Sequence, residues 1–205
     1  MMFDLVRPIE ASKGELEINT LLDYSPSQDQ IEWAPEIEYA YANEYAVELE
    51  FPVEDTKLEE YKLALQGTFG RLLSGKMIHG WQIIGRRKIE DRIFGVDILY
   101  LNSYRFSNEW VMMNMLGFRK QGFAEAGESV GLINNSLFYS FFEDFSIGIE
   151  VNSEIRASQY RYRVTPQLQG ELWEKTTLQF GGGPSKLNKE GCMEWMLTSR
   201  VVYSF

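Results

Sequence analysis

Two pairs of glutamates have a spacing that suggests a shared chemical role. Glu36 and Glu38 form the first pair, and Glu48 and Glu50 form the second. Residues two apart lie on the same face of a β-strand, so each pair projects to one side of a sheet. Four carboxylates on one side of neighbouring strands create a negative potential that could bind or orient charged solutes.

Basic residues also occur on strands elsewhere in the chain. Arg161 and Arg163 form a pair with the same spacing, Lys62 lies two residues after Glu60, and Arg200 lies near the C-terminus. If all these side chains face one interior, separated acids and bases would produce a transverse field across a passage. The alternative is a salt-bridge network that plugs a narrow interior. The sequence leaves both arrangements open.

A catalytic set cannot be assembled from these residues. A serine hydrolase would need His79 with Ser136 or Ser140, but the spacing is uninformative and no third member is identifiable. The sequence therefore predicts no enzyme and no catalytic residues. The run from Gly181 to Lys186 lacks the Gly-Lys-Ser/Thr sequence of a phosphate-binding loop, and we interpret it as part of a flexible outer loop.

Composition narrows the possible classes further. The chain has 205 residues with one cysteine, Cys192, and one histidine, so neither an intramolecular disulfide nor a metal site is expected. We predict no cofactor. The formal net charge of −10 argues against nucleic acid as a partner, because phosphates would be repelled. No apolar run reaches the roughly 18 residues of a transmembrane helix.

Alternation of apolar and polar residues predicts the elements that carry the charged pairs. The last stretch runs from Cys192 to Phe205. Most of the odd-numbered residues from Met193 onward are apolar, and most of the even-numbered residues between them are polar. The same period recurs from Glu15 to Tyr24, from Trp33 to Phe51 and through most of the chain. About twelve strands result, most of about ten residues, the length at which a tilted strand crosses a bilayer.

Connection lengths and aromatic positions favour a membrane barrel over a soluble sheet. Tight turns are predicted near Asn43, Ser74, Asn108, Asp144 and Glu174. Longer polar connections are predicted near Gln28, Lys88, Ala126, Glu154 and Asn188. This alternation is typical of bacterial outer-membrane barrels. An aromatic girdle is predicted beside the tight turns from Tyr41, Tyr45, Tyr104, Phe106, Trp110, Phe141, Phe142, Phe145, Trp173, Tyr203 and Phe205.

The predicted fold class is all-β, a single antiparallel up-and-down transmembrane β-barrel of about twelve strands. Residues 1–13 are assigned to an N-terminal segment and residues 14–205 to the barrel. The charged strand faces would be costly in a dry core, but a hydrated lumen tolerates them. Because backbone groups in lipid must be paired, the first strand has to lie beside the last one.

The chain resembles Gram-negative outer-membrane β-barrels in the run from Trp33 to Phe51, the segment from Gly80 to Gly85 and the ending from Leu197 to Phe205. It is similar in particular to the small transporter-like barrels of the phenol meta-pathway type. The resemblance implies an outer-membrane location and a C-terminal assembly signal at Tyr203 and Phe205. It also implies outer-membrane lipid and the barrel-assembly machinery as partners.

The N-terminus shows no basic region followed by an apolar stretch, so no export signal is visible. We interpret the chain as a mature form with an added start methionine, or as a chain whose leader is missing.

The expected function is passive passage or binding of small aromatic or ionic solutes through a charged lumen. The predicted lumen residues are Glu36, Glu38, Glu48, Glu50, Glu60, Lys62, Arg161, Arg163 and Arg200. Two alternatives stay open. One is a structural or partner-binding barrel with a plugged lumen, for example a subunit of an envelope complex, and the other is an outer-membrane lipid-modifying enzyme.

Overall fold

The computed structural model describes residues 11–123, 127–142, 144–188 and 192–205. Within these ranges the chain forms fourteen β-strands and no helix. The strands are β1 (Leu16–Ser25), β2 (Gln30–Ala42), β3 (Tyr45–Glu50), β4 (Val53–Glu54), β5 (Lys57–Leu58), β6 (Glu60–Leu72), β7 (Met77–Lys88), β8 (Phe94–Arg105), β9 (Trp110–Gln121), β10 (Glu128–Phe142), β11 (Phe145–Ile155), β12 (Tyr160–Trp173), β13 (Thr176–Ser185) and β14 (Glu194–Ser204).

Twelve of these strands form a closed antiparallel barrel. Each strand pairs with the next in chain order, with β3 beside β6, and β1 pairs with both β2 and β14. The closing register places Ile18 opposite Tyr203 and Leu22 opposite Ser199. The predicted pairing of the first and last strands is therefore confirmed. The short strands β4 and β5 form a small hairpin beyond β3 that the sequence analysis missed.

The two faces of the wall have opposite polarity. On β2, Trp33, Ile37 and Tyr39 point outward and are 38–45% exposed, while Glu36 and Glu38 between them point inward and are 3% and 7% exposed. Leu63, Ile98, Leu116 and other large apolar side chains continue the exposed outer face. Apolar groups outside and charged groups inside are the arrangement of a barrel surrounded by lipid, as predicted.

Connections of different length separate the two ends of the barrel. Among the described residues, the turn end carries residues 43–44, 73–76, 106–109, 144 and 174–175. The loop end carries residues 26–29, 51–59, 89–93, 122–123, 127, 156–159, 186–188 and 192–193. The connections predicted near Lys88 and Glu154 are present but begin slightly later, because Lys88 is the last residue of β7 and Glu154 lies one residue before the end of β11. The prediction at Ala126, residue Glu143 of one predicted turn and most of the segment 1–13 lie outside the described residues.

The glycine run before Pro184 is a strand and not the predicted loop. Gly181 and Gly183 lie inside β13. A Cβ atom at Gly183 would lie 2.1 Å from the carbonyl oxygen of Val164 on β12, and one at Gly181 would lie 2.7 Å from that of Pro166. The glycines therefore allow β13 and β12 to approach more closely than side chains would permit.

Aromatic side chains form contacts around the turn end. Ring centroids are 6.3 Å apart for Tyr41 and Tyr45, and 4.9 Å apart for Trp110 and Tyr139. Tyr203 and Phe205 make an edge contact at 4.8 Å. Such a belt is typical of the interface between lipid and water. No helix among the described residues is long and apolar enough to cross a membrane.

Candidate functional site

All nine predicted lumen residues lie on the inward face of the barrel. Eight of them are on the inward-facing alternate positions of β2, β3, β6 and β12, and Arg200 is on that face of β14. Glu50 is 1% exposed and Arg163 is 3% exposed, so these charges are enclosed by the barrel. Enclosed charges are tolerated only when they are paired, hydrogen-bonded or hydrated. Their partners therefore define what the lumen can do.

The acidic cluster consists of Glu36, Glu38 and Glu48. A carboxylate oxygen from each lies within 4.8 Å of the other two. Glu36 forms an ion pair with Arg200, in which Nη2 of Arg200 lies 3.1 Å from Oε2 of Glu36. Because the carboxylates accept side-chain donors in this way, we assign no metal ion to the cluster.

The other two members of the acidic cluster accept hydrogen bonds from amides. Gln66 Nε2 donates to Glu38 Oε1 at 3.1 Å, and Gln82 Nε2 donates to Glu48 Oε2 at 3.4 Å. Both bonds pass over an intervening strand, because β3 lies between β2 and β6, and β6 lies between β3 and β7. Amide donors leave the negative charge of these carboxylates in place.

A second group forms a continuous chain of ion pairs, which we call the charge ladder. Each member contacts the next in the order Glu50, Lys62, Glu60, Arg86, Asp97, Arg119, Glu154, Arg156 and Glu128. Asp97 holds the centre, with Arg86 Nη2 at 2.7 Å from Oδ2 and Arg119 Nε at 2.9 Å from Oδ1. On either side, Arg86 contacts Glu60 at 3.1 Å and Arg119 contacts Glu154 at 3.3 Å.

The two ends of the charge ladder are also closed by ion pairs. Lys62 Nζ lies 2.7 Å from Glu50 and 3.8 Å from Glu60. Arg156 Nη2 lies 2.9 Å from Glu154, and Arg156 also contacts Glu128. Burial opposes the charge on Arg156, but the hydrogen bond to Glu154 and the charges of Glu154 and Glu128 outweigh it and raise the pKa of Arg156 above its ordinary value. Alternating signs along the ladder offer binding groups to anions and cations alike.

One predicted arginine links strands that are not neighbours. Arg163 on β12 makes two hydrogen bonds to Asp23 on β1, at 2.7 and 3.1 Å. Since β13 and β14 lie between these strands, this pair bridges part of the lumen. Arg161, two residues earlier, instead donates to Gln159 at 2.9 Å and lies at the loop end.

An apolar patch lies on strands that also carry the charge ladder, and on β6, β7 and β8 it begins two residues nearer the turn end than Lys62, Arg86 and Asp97. It consists of Ala64, Ile84, Leu99, Val130, Leu132 and Leu187. The last member comes from the connection between β13 and β14, so this connection places an apolar side chain inside the barrel. Leu187 is 7% exposed. On this part of the wall, the charge ladder near the loop end is therefore followed by apolar side chains toward the turn end.

A cavity of about 290 Å³ opens among the loop-end residues. Its charged lining consists of Glu32, Glu54, Glu59, Glu60, Glu128, Arg86, Lys88, Arg156 and Arg161. A smaller cavity of about 30 Å³ lies beside Asp23 and Arg163. Glu32 and Leu187 line both cavities and so stand between them. The larger cavity can hold a small solute that carries charge.

Several residues of this site were missed from the sequence. Asp97, Arg86, Arg119 and Glu154 complete the charge ladder, and Asp23 pairs with Arg163. On β7 to β10 the inward face also carries apolar residues, so the two faces differ little in polarity and the alternation is obscured. A usable signal was present in the sequence, because Arg86, Asp97 and Arg119 are charged residues near the loop ends of largely apolar strands.

The remaining candidates are placed as follows. His79 faces outward, with its ring 5.6 Å from Phe69 and 6.1 Å from Tyr100, whereas Ser136 faces inward and is 1% exposed. The imagined pair of His79 and Ser136 thus lies on opposite faces of the wall. At the terminus, the Phe205 amide donates to the Leu16 carbonyl at 2.9 Å, which holds the predicted assembly signal against β1.

Comparison with solved structures identifies the fold. The NanC porin superposes with a TM-score of 0.76 at 8% identity, covering 91% of this chain and 98% of that chain. An outer-membrane channel from Pseudomonas putida gives a TM-score of 0.74 at 12% identity, covering 98% and 100%. An outer-membrane protein of Acinetobacter baumannii gives 0.56 at 7% identity, covering 97% and 100%.

Neither a protein-family model nor a curated protein sequence matches the chain. At identities of 7–12%, the structural likeness is a likeness of fold. The predicted resemblance to outer-membrane barrels is confirmed at that level, and the predicted location agrees with it. The chain has the fold of a small, twelve-stranded outer-membrane β-barrel.

Proposed function

We propose that this protein is an outer-membrane channel that passes or binds small charged or aromatic solutes. The observation that carries the proposal is the loop-end cavity, whose mixed-charge lining continues into the charge ladder inside a closed barrel. A charged solute entering the cavity meets alternating carboxylates and guanidinium groups along one wall. The apolar patch, which adjoins the charge ladder on the same strands, would contact an aromatic or aliphatic part of the same solute.

The acidic cluster supports selectivity among the ions that enter the lumen. Its three carboxylates converge within 4.8 Å, and charges in an enclosed passage act on a passing ion more strongly than charges on an open surface. Two of the similar structures are a porin and an outer-membrane channel, which supports passage as the mode of action.

A closed barrel with a structural or partner-binding role is the second candidate. The deep burial of the lumen charges, the Arg163–Asp23 bridge and the inserted Leu187 favour it. The two candidates differ in one observable, because only a channel conducts ions across a planar bilayer.

Changing Glu36, Glu38 and Glu48 together to glutamine tests the proposal. We expect discrete conductance steps for the unmodified protein, and for the triple variant a reversal potential shifted toward anions, because three negative charges leave the lumen while side-chain size is kept. The shift should shrink at high salt, where the field is screened. Single-channel recording across a salt gradient measures both quantities.

The matched control changes Glu109, Glu171 and Glu174 to glutamine, which removes the same net charge from exposed positions at the turn end. The control should shift the reversal potential much less than the lumen variant. An unmodified protein that folds but never conducts would reject the channel and leave the closed barrel. Equal shifts in the two triple variants would show that the acidic cluster does not face the conducting path.

A further inference from the structure

Three asparagines lie in a row on the outer face of the barrel. Asn102 on β8 is opposite Asn114 on β9, and Asn114 is opposite Asn135 on β10. We call them the asparagine row. Their inward-facing chain neighbours are buried, Met113 at 7% and Asn134 at 0% exposed. Since side chains alternate across a strand, Asn114 and Asn135 point away from the lumen.

Two members of the asparagine row, Asn114 and Asn135, lie within the apolar belt, whereas Asn102 lies opposite His79 on β7. Along β9, Met112 and Leu116 flank Asn114 on the outer face, and along β10, Leu137 and Ile133 flank Asn135. Asn135 is also the eighth residue of the fifteen in β10. Depth along the strand and apolar neighbours on both sides therefore place Asn114 and Asn135 among the lipid chains.

The hydrogen-bonding capacity of these amides greatly exceeds what the barrel uses. Asn114 Nδ2 donates to Asn102 Oδ1 at 2.9 Å. Each amide offers two donors and one acceptor oxygen with two lone pairs, and within the described ranges no other side-chain hydrogen bond involves the row. An amide without partners in hydrocarbon is energetically unfavourable, because no water can replace the missing hydrogen bonds. Ser153, another outward polar residue, is bonded to the Tyr160 hydroxyl at 2.9 Å.

We propose that a second copy of this chain docks on the asparagine row in the membrane. An amide carries donor and acceptor together, so it is complementary to another amide of the same kind. In a two-fold dimer the residue nearest the axis meets its own counterpart. Asn114 is the middle of the row, and an axis passing beside it would let two copies exchange amide hydrogen bonds. Polar residues bonded across segments in this way hold membrane proteins together.

Disulfide trapping in lipid vesicles tests the dimer. Asn114→Cys is made in a Cys192→Ser background, since Cys192 is the one cysteine of the chain. Leu22→Cys, outward and 39% exposed on β1, is the matched control on the opposite wall. On oxidation with copper phenanthroline we expect most of the Asn114→Cys protein, and little of the Leu22→Cys protein, to migrate as a disulfide dimer. Equal trapping at the two positions, or none at Asn114→Cys, would overturn the proposal.

A second variant separates docking from folding. Changing all three asparagines to leucine removes the amides but keeps an apolar outer wall, so the barrel should still fold and show heat-modifiable migration. We expect this variant to lose the dimer that the unmodified protein forms, as measured by analytical ultracentrifugation in detergent. If the leucine variant folds and associates as the unmodified protein does, the asparagine row is not the docking surface. A monomeric unmodified protein in both detergent and vesicles would also overturn the proposal.

Discussion

Replacing Asp97 by asparagine is expected to destabilise the barrel by about 3–5 kcal/mol, the cost of removing one partner from a buried ion pair. Asp97 is 1% exposed and receives Arg86 at 2.7 Å and Arg119 at 2.9 Å. Asparagine keeps the size of the side chain but removes its charge, so two enclosed guanidinium groups lose their shared counter-ion. Equilibrium unfolding in urea, followed by heat-modifiable migration or tryptophan fluorescence, measures the loss.

Glu171→Gln is the matched control for this experiment. It makes the same charge change at an exposed position on β12, where it should alter stability by less than about 0.5 kcal/mol. A loss for Asp97→Asn no larger than that of the control would show that the charge ladder is hydrated and contributes little to folding. Passage through the lumen would then be less restricted than the ion pairs indicate.

Arginine at Ile83 is expected to cost about 2–4 kcal/mol, because it places a charge in the lipid near the middle of a strand. Ile83 faces outward on β7, is 43% exposed, and lies opposite Leu65 and Ile98 in the sheet. Unfolding in the presence of lipid vesicles measures the cost.

The adjacent residue provides the control. Gln82 faces the lumen and donates to Glu48, so arginine there adds a positive charge beside the acidic cluster. Gln82→Arg should therefore cost much less than Ile83→Arg. Equal costs at the two positions would contradict the assignment of faces, since neighbouring residues on one strand differ only in the side of the wall that they occupy.

Much of the fold could be predicted from the sequence because one face of most strands is apolar. From Trp33 to Phe51 the alternation is nearly perfect, and the structure has β2 and β3 with the predicted faces. The glycine run at Gly181 was misread because glycine favours loops locally, and only the close approach of β12 explains its place in a strand. That approach is a tertiary contact, which local patterns do not contain.

The candidate site could be predicted only in part for the same physical reason. Glutamate pairs stand out because two charges share one face, whereas Asp97 and Arg119 are single charges on strands with apolar inward neighbours. Their importance comes from contact across strands, with Asp97 and Arg119 opposite each other on β8 and β9. The sequence around Leu187 did not indicate that this residue is buried, because its burial depends on how the connection between β13 and β14 folds into the barrel.

In the proposed channel the charged face lines an aqueous passage and the apolar face meets lipid. Gln82→Cys and Ile83→Cys, each in a Cys192→Ser background, test this arrangement directly when intact vesicles are treated with a charged, membrane-impermeant thiol reagent. We expect modification of Gln82→Cys and protection of Ile83→Cys, read by mass spectrometry. Modification of Ile83→Cys instead, or protection of both until the protein is unfolded, would contradict it.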